Sequence, residues 1–137
     1  MVDTDDLDRI FPVPHDLQRI AEQNLRAVWK TFAGEGARRL ILTGVWLDRP
    51  SESAWIERAV PEARCTVVRL VASESTLLGR VARREMGSGA EAQAERSRLQ
   101  LATMESDHQP GSHVISTDGR DVAAIARQLV GLWRISN

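Results

Sequence analysis

Apolar and polar positions follow two rhythms along these 137 residues. Leu17, Ile20, Ala21, Leu25, Val28, Trp29 and Phe32 recur with a 3.6-residue period, which predicts an amphipathic helix over 15–33, with Gly34 and Gly36 as its C-terminal stops. Trp29 and Phe32 are expected to anchor the core. Two short, continuous apolar runs, 39–46 (RLILTGVW) and 65–71 (CTVVRLV), predict strands covered on both faces. After the second run Ser73 offers an N-cap oxygen and Glu74 an acid in the first turn, and Leu77, Leu78, Val81 and Ala82 continue as a helix. A short helix over 51–60 carries Trp55 and is closed by Pro61. The stretch 90–107 is helix-prone but sparsely apolar (Leu99, Leu101, Ala102, Met104), which predicts an exposed, mobile element. A turn at 108–111, a strand at 113–117, a turn and cap at Asp118-Gly119 and a last helix over 122–135 complete the chain. At its start, Val2 closes a strand and Asp3 stands at the strand end. Thr4 or Asp5 caps a short helix through Ile10, which Pro12 and Pro14 stop.

Strands alternating with helices predict an α/β fold, a three-layer arrangement around a mostly parallel sheet of about four strands. The length suits one domain, 1–137. A hydrophobic content of 42% and a charged content of 27% are those of an ordinary globular protein. A net charge of -1 gives no field for nucleic acid or an anionic membrane. There is no apolar run of the ~20 residues that cross a bilayer. Lys30 is the only lysine among 18 basic residues, so the cationic chemistry is that of arginine forks. Cys65 is the single cysteine. It is expected as a small core residue, and a reducing cytoplasm is the natural setting. His15, His108 and His113 lack metal-ligand spacing, so no metal is expected from them. No serine sits in a nucleophile elbow, and no basic patch is interleaved with aromatics.

Candidate chemistry gathers where strands end. Thr43 and Gly44 stand at the carboxyl end of a strand, where open parallel sheets place ligands. Arg80, Arg83 and Arg84 share one helix face, and with the loop Met86-Gly87-Ser88-Gly89 they form either an anion-handling device or a solvated basic face. Asp3, Asp5 and Asp6 are either a solvated terminus or ligand-binding acids.

These pieces, in this order, resemble the P-loop kinases of nucleotides and small molecules, in the manner of adenylate, shikimate and gluconate kinases. Val2-Asp3-Thr4-Asp5-Asp6 is similar to their second strand, whose terminal acids bind the phosphoryl acceptor. Leu40-Ile41-Leu42-Thr43-Gly44-Val45 is similar to their third. Val68-Arg69-Leu70 with Ser73-Glu74, Leu78, Arg80 and Arg83-Arg84-Glu85 resembles their fourth strand and the helix leading into the lid. Ile115-Ser116-Thr117-Asp118-Gly119 with Val122-Ala123 resembles their last strand and final helix, near which the adenine edge is held. The resemblance implies a small-molecule acceptor site at Asp3, Asp5 and Arg9. It also implies lid arginines at Arg80, Arg83 and Arg84 with a lid segment of about 84–108, and a nucleotide-side pair at Asp118 and Gly119.

The family pattern opens with a strand, G-x-x-x-x-G-K-[ST] and a helix, because consecutive N–H groups and a lysine cradle the phosphates while the hydroxyl holds magnesium. No such sequence occurs here. Gly34-Glu35-Gly36 runs into Ala-Arg-Arg, and Thr43 stands where many of these proteins carry a magnesium-supporting Asp. Positioning supplies ~7–11 kcal/mol of such a barrier, so this chain is expected to be inactive alone. It reads as a truncated or degenerate form of an ATP-dependent small-molecule kinase, with ATP and Mg2+ as cofactors only if the full-length protein supplies the loop. The missing strand would lie between 39–46 and 64–71, leaving a gap of ~10 Å between unpaired edges. Homo-oligomers formed through that edge are therefore expected. The alternative is a non-enzymatic binding or assembly module that uses the open edge and the 90–107 helix as interfaces.

Overall fold

The computed structural model describes residues 1–45, 50–84, 89–106 and 112–135. In chain order it contains β1 (Val2–Asp3), a 3-10 turn (Thr4–Asp6), α1 (Leu17–Gly34), β2 (Leu42–Thr43), α2 (Pro50–Ala59) and β3 (Val68–Val71). There follow α3 (Glu74–Arg84), α4 (Gly89–Ser106), β4 (His113–Ser116) and α5 (Val122–Ile135). The chain divides into two compact units, Met1–Cys65 and Thr66–Asn137.

In the first unit Asp16, one residue before α1, accepts a hydrogen bond from Arg19 N at 2.8 Å and caps the helix. At the other end Gly36 takes φ +89°, its N–H donates to Ala33 O, and Ala37 N donates to Phe32 O. That pair of bonds is the Schellman closure, and glycine at this position avoids the steric cost of a left-handed backbone. The buried stripe of α1, Ala21 and Leu25, meets Trp55, Ala59 and Val60 from α2 and its C-terminal end, together with Leu7. Asn24 ties α1 to the turn beyond β1 by donating to Leu7 O at 2.6 Å. β1 and β2 pair in parallel, Val2 beside Leu42 and Asp3 beside Thr43.

In the second unit β3 and β4 pair in parallel from Val68 beside His113 to Val71 beside Ser116. α3 packs on α4, and among the described residues of this unit Val81 and Ile115 are the buried apolar side chains. Ser97, on α4, and Arg69 are buried too. The Arg69 guanidinium donates to Met104 O in the last turn of α4, where helix carbonyls lack intrahelical partners and the dipole favours a cation.

Several expectations change. The four described strands are parallel in pairs and form two two-stranded sheets, β1-β2 and β3-β4. A single four-stranded, three-layer sheet is therefore not established. The strands expected over 39–46 and 65–71 contract to two and four residues. They are not covered on both faces: Ile41, Val45 and Leu70 are half exposed, since each strand has only one ladder neighbour. Cys65 lies outside β3 and is exposed rather than in the core. Phe32 is 41% exposed and does not anchor the core, whereas Trp29 packs against it. The short helix expected through Ile10 ends at Asp6 and is capped by Asp3, not by Thr4 or Asp5. The helix-prone stretch expected over 90–107 does form α4 and is largely exposed; Arg69 and an ion pair from Arg98 to Glu74 at 3.0 Å hold it. Trp46, the first three residues of the expected loop Met86-Gly87-Ser88-Gly89 and the turn expected at 108–111 lie outside the described residues, and Gly89 opens α4.

Candidate functional site

Each parallel pair ends in a cluster of polar side chains at its carboxyl edge. In the first unit Asp3 follows from β1 and Thr43 from β2, because the register sets them side by side. Thr43 Oγ1 donates to Asp3 Oδ2 at 3.3 Å, and Asp5 N donates to Asp3 Oδ1 at 3.1 Å. Both carboxylate oxygens are thus oriented, and Asp3 remains exposed. Asp5 is exposed on the 3-10 turn, and Arg9 pairs with Asp6 at 3.6 Å, both far out in solvent. An exposed pair of that kind is worth little. Of the expected acceptor set, Asp3 is the member built into the strand end.

The second cluster is more tightly connected. Ser73 ends the link from β3 to α3, and Asp118 stands in the turn after β4. Asp118 Oδ2 accepts from Ser73 N at 2.9 Å and Oδ1 from the same N–H at 3.1 Å, and Ser73 Oγ lies 3.2 Å from Oδ1. Ser73 Oγ accepts from Thr76 N at 3.3 Å, the N-cap bond its sequence position predicts. Asp118 is held below the usual carboxylate range, first by the Thr76 hydroxyl, then by the Ser73 N–H. Gly119 completes the turn with φ +64°. Arg80 reaches the same edge: Nη1 donates to Thr117 Oγ1 and Nη2 to Thr117 O, each at 2.9 Å. Thr117 is buried, and its hydroxyl lies 3.0 Å from Val71 O as donor. Arg80, expected in the lid, and Asp118, expected on the nucleotide side, therefore meet at one edge, where Arg80 bonds Thr117 and Asp118 bonds Ser73, each tying the α3 end to the end of β4. Arg83 and Arg84 are exposed in the last turn of α3.

Thr76 and Thr117 have no place among the sequence-derived candidates. For Thr117 a signal existed: a β-branched hydroxyl at the last position of a strand, directly before Asp-Gly. Thr76, one turn into a polar helix start, carried none.

The N–H groups that the Gly34-Glu35-Gly36 stretch offers are engaged within the helix closure, and the Ser73 N–H at the start of α3 already holds the Asp118 carboxylate. Elsewhere, Glu22 on α1 accepts from Arg26 at 2.7 Å and from Arg58 of α2 at 2.8 Å. Arg58 above all, then Arg26, lowers the Glu22 pKa. These residues line an open groove of about 650 Å³ together with Ala54, Glu57 and Pro61. The Cys65 thiol is pushed up by partial burial and by Glu57, which makes it a poor nucleophile. Among the described residues no three His, Cys, Asp or Glu converge as a metal-holding group, and no helix is long and apolar enough to cross a membrane. Comparison with family models, with curated proteins and with solved structures finds no match.

Proposed function

We propose that this chain is a kinase-like α/β protein without a nucleotide-gripping loop, and that it does not transfer phosphate by itself. The parent activity of such a fold is ATP-dependent phosphorylation of a small molecule. The ladder pattern carries this proposal: β1 pairs with β2 and β3 with β4, each parallel. In the resembled kinases a strand lies between the counterparts of β2 and β3. Asp3, oriented by Thr43 and by the Asp5 N–H, is then the acceptor-side acid, and a reducing, cytoplasmic setting suits the lone thiol.

Calorimetric titration supplies the test, in two arms. The 137-residue chain should give no heat with Mg-ATP; saturable binding would overturn the proposed lack of a nucleotide site. A fusion that adds an apolar strand, a G-x-x-x-x-G-K-S loop and a helix ahead of Met1 should gain saturable Mg-ATP binding. At a ligand concentration of 100 times Kd it should also gain about 2.7 kcal/mol of stability. A fusion that folds, by circular dichroism, yet binds nothing overturns the kinase-like assignment.

A non-enzymatic assembly module is the second reading, favoured by the half-exposed Leu70 and Val114 on the β3–β4 sheet. It expects no nucleotide binding in either arm.

A further inference from the structure

We draw no further inference here: the strongest candidate, the exposed apolar segment of Ile10, Phe11 and Val13 in the loop between the 3-10 turn and α1, carries nothing because nothing in the structure shows what covers it.

Discussion

Single side chains decide how the strand ends are held. Asp118 is ionised against Ser73 and Thr76, and its pKa lies below that of an unfolded aspartate, near 3.9. A carboxylate with a depressed folded-state pKa contributes stability that is complete above the unfolded value and fades as pH falls through the folded one. Asp118→Asn should therefore lower the urea midpoint at pH 7, and the gap to the wild type should close below about pH 4. A gap of constant size from pH 7 to pH 2 would show that the charge is not what matters. Leu25 is fully buried between α1 and α2. Leu25→Ala should cost about 2–5 kcal/mol, enough to loosen most of a small unit. Hydrogen exchange should then rise across α1 while the amides of Val71 and Thr117 keep their protection. Equal loss in both places would mean that the two units unfold together. Leu25 was visible beforehand, because its place on a 3.6-residue stripe depends only on its neighbours in the chain. Arg69 was not, since it sits inside an apolar run and its burial follows from a carbonyl 35 residues away.

At the scale of elements, local rules governed the helices and failed on the strands. α1, α2, α4 and α5 begin and end within two residues of the expected limits, as capping and period are local. The two glycines at the end of α1 make separable predictions. Gly36 needs its positive φ, so Gly36→Ala should destabilise by about 1 kcal/mol. Gly34 is helical and a Cβ there would meet nothing within 4 Å, so Gly34→Ala should be neutral or stabilising by up to about 1 kcal/mol. Thermal melts of the two variants moving in the same direction would refute this closure of the helix. The strands were overextended because an apolar run implies burial only if something covers it. Leu70, at 50% exposure, lacks that cover.

For the whole molecule, the expected acids and arginines were legible as residue types, but their partnerships were not. Arg80 and Asp118 were read as separate parts of a nucleotide site, and the parallel register of β3 and β4 brings them to one strand end. The open strand edges motivate self-association, since unpaired edge N–H and C=O groups template pairing with another chain. Sedimentation at micromolar concentration should find dimers or larger species. A well-folded monomer over that range would rule the association out.

By itself the chain's order of apolar and polar residues determined where helices form, that glycines close α1 at its C-terminal end, and that no phosphate-binding loop of the Gly-Lys-Ser/Thr kind occurs in these 137 residues. Each of these depends on residues a few positions apart. Only the tertiary structure decided that the four strands pair two by two, that Arg69 is buried against α4, and that Asp118 closes on Ser73 rather than standing open. Those outcomes join residues 35 to 45 positions apart, and hydrogen bonds of that range follow from packing and register, which no local pattern encodes.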